Sequence, residues 1–268
     1  MPDFPLRAPG FSQAGATPGT SVAASASINT KGAWTELVAS TAFDADALQI
    51  IMAIPDVTTG HLLDLAIGGA GSEIEVLSNL LVSSVGRSST TLTFPTLLPA
   101  GSRISARVQS QTASSAVRVR TMLIRGGFLL PAAGGRVETI GAATADSGGT
   151  PLDAGAAANT YGAWAQMTAS TSRDIDAIQF RLGNAGNATP SASTCNFYLQ
   201  IGVGAGGSEI PVLDGYAFAT MTTGDMGRAP DVWYPVAIPA GSRIAARIRS
   251  DITDATDRIV DLVLYALT

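Results

Sequence analysis

Apolar and polar residues alternate in short runs along most of the chain, and the runs recur at strand rather than helix spacing. Ile104, Ala106 and Val108 alternate with Arg103, Ser105 and Arg107, and Arg243–Ile248 repeats the pattern. Leu63, Leu65 and Ile67 alternate with Asp64 and Ala66; Phe197, Leu199, Ile201 and Val203 alternate with Tyr198 and Gln200; Ile178, Phe180 and Leu182 alternate with Gln179 and Arg181. Successive side chains of a strand point to opposite faces, so each run predicts a strand with one apolar face. Turn chemistry separates the runs roughly every 8–12 residues, as in P-A-G-S before Arg103, G-A-G-S before Glu73 and T-T-G at Thr58–Gly60. No stretch keeps an apolar period of about 3.6 residues for three turns. An all-β chain is expected, with little helix.

The same pattern occurs twice. N-T-K-G-A-W at Asn29–Trp34 returns as N-T-Y-G-A-W at Asn159–Trp164, and 12 of the 25 positions in 29–53 are identical in 159–183. I-G-G-A-G-S-E-I-E-V-L (Ile67–Leu77) returns as I-G-V-G-A-G-G-S-E-I-P-V-L (Ile201–Leu213). F-P-T-L-L-P-A-G-S-R-I-S-A-R (Phe94–Arg107) returns as Y-P-V-A-I-P-A-G-S-R-I-A-A-R (Tyr234–Arg247). Three collinear blocks, each near one-half identical, mark an internal duplication. The division this predicts is an extended, Pro-containing anchoring arm (1–16), copy one (17–125), a Gly/Ala-rich linker (126–149) with an apolar knot at Phe128–Leu130, and copy two (150–268). Seven or eight short strands in each copy fit an antiparallel, jelly-roll-like β-sandwich.

Composition narrows the chemistry. The 268 residues include one Cys (Cys195), one His (His61) and 16 basic residues of which only Lys31 is a lysine; charged residues are 14 % and hydrophobic residues 46 %. One Cys and one His leave no disulfide framework and no Cys/His zinc set, and a nucleophile triad would have to run through His61. A net charge of −5 argues against binding nucleic acid through bulk charge. No apolar run approaches the roughly 18 residues of a membrane span, and the N-terminus shows neither a basic n-region nor an apolar h-region, so neither membrane insertion nor a cleaved signal peptide is expected. No catalytic residue, metal site or cofactor is expected. The many Ala and Gly residues bury little area each, which favours association with further copies as a homo-oligomer, trimer and pentamer both open.

Several residues invite a functional reading. Asp44/Asp46 and Asp174/Asp176 form a duplicated D-x-D that could serve a metal or a glycosidase, but immediately before a strand such residues more commonly cap turns. Arg103, Arg107, Arg243 and Arg247 face outward; they fit ordinary ion pairs with residues such as Glu73 and Glu209, or ion pairs between subunits. Ten of 16 aromatics lie in copy two. Trp34/Trp164 and Phe94/Tyr234, at matched positions, are expected in the core, whereas Trp233, Tyr198 and Tyr216 are expected to contact a glycan or an interface. Cys195 is expected to be a buried thiol.

The G-A-G-S-E-I block followed by [F/Y]-P-x-x-[L/I]-P-A-G-S-R-I-x-A-R resembles surface-exposed virion proteins of tailed bacteriophages and related gene-transfer particles, in which β-sandwich modules build head spikes, fibres and tail adhesins. The resemblance spans roughly 220 residues and brings no catalytic residue with it. It implies a virion structural protein made in the host cytoplasm, joined to other virion proteins through the N-terminal arm and contacting host-surface polysaccharide through copy two. The alternatives are a carbohydrate-binding module or a polysaccharide-degrading enzyme not tied to a particle.

Overall fold

The computed structural model describes residues 19–53, 60–82, 90–125, 136–183, 195–220, 231–253 and 259–268. The expected arm and the apolar knot at Phe128–Leu130 lie outside the described residues.

The described chain is all β. Copy one holds β1 (Thr20–Ala23), β2 (Thr35–Val38), β3 (Ala45–Ala53), β4 (His61–Ile67), β5 (Ile74–Val82), β6 (Thr90–Leu98), β7 (Ile104–Ser110) and β8 (Ala116–Ile124). After β9 (Val137–Ile140), copy two repeats the series as β10 (Thr150–Asp153), β11 (Ala165–Thr168), β12 (Ile175–Gly183), β13 (Cys195–Val203), β14 (Ile210–Thr220), β15 (Tyr234–Ile238), β16 (Ile244–Ser250) and β17 (Ile259–Leu267).

Copy one pairs first strand with last and works inward, β1 with β8, β2 with β7, β3 with β6 and β4 with β5, all antiparallel. Further pairs, β3 with β8 and β4 with β7, roll this nested hairpin into two four-stranded sheets, β1-β8-β3-β6 (sheet A) and β2-β7-β4-β5 (sheet B). Copy two repeats the pairing as β10-β17-β12-β15 (sheet A′) and β11-β16-β13-β14 (sheet B′). This is the jelly-roll arrangement, twice. The alternating positions fall as the sequence predicts: Ile104, Ala106, Val108, Leu63 and Leu65 enter one core, and Ile178, Phe180, Leu182, Phe197, Leu199 and Ile201 the other.

The linker boundary needs correction. Residues 137–140 form β9, which pairs with Leu264–Leu267 of β17 and extends sheet A′. The reason is local: Val137 and Ile140 are buried while Glu138 and Thr139 are not, so a segment that reads as Gly/Ala-rich overall contains one short strand.

Copy two contributes side chains to the core of copy one. On β17 the even positions Val260, Leu262, Leu264 and Ala266 face copy two's own interior, whereas Val263, Tyr265 and Leu267 join the interior of copy one, with Ala177 and Val137. Sheet A′ thus covers the open side of the first sandwich between edge strands β5 and β6. Tyr265 fills that gap. Its ring meets Phe94 edge-on at 5.3 Å, and its hydroxyl accepts a hydrogen bond from the Leu81 N–H at 2.8 Å. Nearby, Arg181 donates to Thr90 Oγ1 at 2.6 Å, and Asp231 accepts from the Thr93 N–H and hydroxyl at 2.7 and 2.6 Å.

Candidate functional site

Each copy lays its N-T-x-G-A-W segment across the outer face of its B-type sheet. Asn29 and Asn159 turn the chain with positive φ (52° and 61°), and each N–H bonds a strand-end carbonyl, Ser110 or Ser250. Gly32 and Gly162 then approach the Val108 and Ile248 carbonyls; a Cβ at either glycine would run into the carbonyl oxygen of Ala23 or Asp153. That close approach sets residues 31 and 34, and 161 and 164, over the sheet. Trp34 and Trp164 are therefore half-buried on outer faces under guanidinium groups, which corrects their expected place in the core.

In copy one this face is a closed ionic network. Asp64, 1 % exposed, accepts from Lys31 Nζ (2.7 Å), Arg107 Nε (2.9 Å) and the Asn79 N–H (2.8 Å). Arg107 also binds Glu75 and stacks on Trp34 at 4.5 Å. Burial pushes the Lys31 ammonium below its ordinary value, while the attraction of Asp64 opposes that shift. Two cations and two carboxylates balance.

In copy two the same positions change character. Lys31 becomes Tyr161, Asp64 becomes Gln200, Glu75 becomes Pro211 and Gln109 becomes Arg249. Arg247 now donates to the neutral Gln200 Oε1 at 2.6 Å, and its guanidinium lies 4.2 Å from the Trp164 ring centroid and 4.6 Å from that of Tyr161. Arg249 lies 5.1 Å from Tyr161 and 4.8 Å from Tyr198. Three half-exposed rings and two guanidiniums thus alternate across the sheet, with Gly202 leaving room for the indole: a Cβ there would come within 2.8 Å of Trp164 Cη2. Asp214 joins the array by accepting from Gln200 Nε2 at 2.8 Å. Burial pushes the Tyr161 phenol up; Arg249 and Arg247 oppose this, and Asp214 reinforces it. The array therefore sets the Arg247 and Arg249 guanidiniums amid aromatic rings, an arrangement suited to the flat faces and carboxylates of an acidic saccharide.

The three aromatics singled out in the sequence go to three places. Tyr198 joins this array. Tyr216 turns inward at the open edge of copy two, edge-on to Phe180 at 4.8 Å. Trp233 lies between the copies, its indole N–H donating to the Thr93 carbonyl at 2.9 Å and its ring 6.1 Å from Phe94. From the sequence, Tyr161 and Arg249 are assigned no site role and Trp164 is expected in the core, although Arg249 continues the outward series Arg243, Arg247 and Tyr161 stands where copy one has its single lysine.

The four arginines, for which the sequence leaves both ordinary ion pairs and subunit contacts open, are engaged within their own copies. Arg103 pairs with Glu36 (2.8 Å) and Glu73 (3.2 Å), and Arg107 with Asp64 and Glu75. Arg243 pairs with Glu209 at 2.7 Å, while Arg247 holds Gln200 and the two rings. In the D-x-D pairs, Asp44 and Asp174 accept from the Ala100 and Ala240 N–H groups at 2.7 and 2.8 Å, capping the P-A-G-S turns. His61, fully buried at the start of β4, bonds Ser115 through Nε2 at 2.9 Å, and Cys195 is buried. Among the described residues no group of three or more His, Cys, Asp or Glu is arranged to hold a metal ion.

No family model matches the chain, and no curated protein matches it. Among solved structures, the N-terminal CBM22-1-CBM22-2 tandem domain from Paenibacillus barcinonensis Xyn10C aligns over 100 % of this chain and 91 % of its own, with 9 % identity and a TM-score of 0.27. That likeness is too distant to bear on function.

Proposed function

We propose that the chain is a non-enzymatic surface-display protein of a virus-like particle, as the resemblance of its repeat blocks implies, and that copy two contacts acidic saccharide on the host surface. The observation carrying the saccharide contact is the replacement, on one duplicated face, of the closed Lys31–Asp64–Arg107–Glu75 network by the Trp164–Arg247–Tyr161–Arg249–Tyr198 array. Rings offer flat apolar surface to a pyranose, and guanidiniums offer paired donors to its carboxylate. Engagement of Asp44 and Asp174 in turns supports the non-enzymatic reading, since a hydrolase would need two carboxylates facing one cleft.

An array of neutral and acidic oligosaccharides separates these readings. Retention of uronate-containing glycans that weakens as salt is raised is the expected result; equal retention of neutral and acidic glycans, or none, overturns the saccharide assignment. Display on a particle is tested separately, by antibody labelling of particles from the native host, with label on intact particles expected and label confined to the soluble fraction contradicting it.

A further inference from the structure

The contact joining the two copies uses two different surfaces, the outer face of an A-type sheet and the open edge of a sandwich. Duplication gives the chain each surface twice, and among the described residues each is seen docked once. The outer face of sheet A′ is buried on the β5/β6 edge: Val263, Tyr265 and Leu267 are at most 1 % exposed, as are Leu81, Leu92 and Phe94 beneath them. Among the described residues, neither the outer face of sheet A nor the β14/β15 edge is docked on another sandwich in this way.

The registers place the unused pair residue by residue. Gln49 faces Met122 across β3 and β8 as Gln179 faces Tyr265 across β12 and β17, so Arg120, Met122 and Ile124 stand where copy two has Val263, Tyr265 and Leu267. Ile51 stands where copy two has Arg181, and all four are half-exposed. On the unused edge, Tyr216, Ala217, Val232 and Tyr234 hold the positions of Leu80, Leu81, Leu92 and Phe94. Leu81 is fully buried and Leu92 is 1 % exposed, whereas Ala217 is exposed and Val232 is 46 % exposed. Ile51, Met122 and Ile124 present apolar surface to match, and a Met thioether packs well against tyrosine rings.

We infer that the chain associates head to tail with copies of itself, the outer face of sheet A in one molecule docking on the β14/β15 edge of the next. The established inter-copy contact supplies the geometry, and Met122 takes the place of Tyr265 against Tyr216 and Tyr234. The interface is heterologous, so each molecule keeps one free donor face and one free acceptor edge until a ring closes. The inference does not rest on the saccharide reading, which concerns the outer face of sheet B′.

The test is complementation between two single variants. Met122→Arg blocks the donor face only. Ala217→Arg, at an exposed position, blocks the acceptor edge only. Light scattering after size exclusion should give concentration-dependent multimers for the unaltered chain, monomer for each variant alone, and a one-to-one dimer when the variants are mixed. Thermal unfolding of each variant confirms that the sandwiches remain intact. An unaltered chain that stays monomeric at about 100 μM overturns the inference, as do variants that associate like the unaltered chain or that fail to pair when mixed.

Discussion

Copies one and two share a fold and a set of turn caps, yet they treat the same two surfaces in opposite ways. On the outer face of the B-type sheet, copy one closes its charges on one another, while copy two leaves guanidiniums among tyrosine and tryptophan rings. At the sandwich edge, copy one is sealed by Tyr265 from its neighbour, while copy two places tyrosines where copy one has Leu80 and Phe94. The shared scaffold is held by residues retained in both copies, such as Gly32/Gly162 and Asp44/Asp174. The difference lies in a handful of outward positions, which leave the two apolar cores undisturbed.

The sharpest way to break the comparison is at Tyr265. Tyr265→Ala removes a large, fully buried ring from a core to which both copies contribute and should destabilise the chain by about 3–5 kcal/mol. Met122→Ala, its half-exposed counterpart, should cost the isolated chain well under half of that. Chemical denaturation of both variants measures the contrast, and equal losses would mean that the two copies are not joined through β17.

The ionic network comes next. Asp64→Ala strips the buried partner from Lys31 and Arg107 and should cost about 3 kcal/mol or more, whereas Gln200→Ala at the matched position should cost about 1 kcal/mol. Denaturation midpoints that fall equally would contradict the closed-versus-open distinction.

A third contrast is pH. Asp261 is 1 % exposed on β17, where burial raises its carboxyl to about 7; the Gly149 N–H opposes the shift and Asp146 adds to it. The folded chain therefore holds this proton more tightly than the unfolded chain. The sign follows: stability is highest below the unfolded value of about 3.9, falls as pH rises, and levels off above about 7, by at most roughly 4 kcal/mol from this group. Asp261→Asn should flatten that slope in melts across the range. Arg118 holds the matched position in copy one.

The smallest effect is a control. Asp44→Ala and Asp174→Ala each remove one turn cap of the same geometry, and both should cost about 1 kcal/mol. A large difference between them would show that the turns, too, have diverged.

The duplication, the strands and most of the core were legible in the sequence because each rests on local pattern. Period-two alternation fixes which side of β7 or β16 is apolar, and P-A-G-S or G-A-G-S fixes where the chain turns. What failed depends on where a whole face is pointed. Trp34 and Trp164 look like core residues by size and by repetition, yet a glycine two residues earlier brings the chain close to the sheet and leaves each indole on the outside. Trp233 looks outward by alternation and is outward from its own sheet, but that face meets the other copy. The short β9 was hidden by the glycines and alanines around it. The saccharide candidates were legible only at Tyr198, since recognising Tyr161, Trp164 and Arg249 requires the pairing of β13 with β16 that brings them together.

The central claim is that copy two, and not copy one, meets the saccharide. Calorimetric titration of a uronate-containing oligosaccharide into the matched variants Trp164→Ala and Trp34→Ala tests it most directly. The account predicts at least tenfold weaker binding, about 1.4 kcal/mol, for Trp164→Ala, and affinity unchanged from the unaltered chain for Trp34→Ala. Equal weakening in both variants, or unchanged binding in Trp164→Ala, would contradict it.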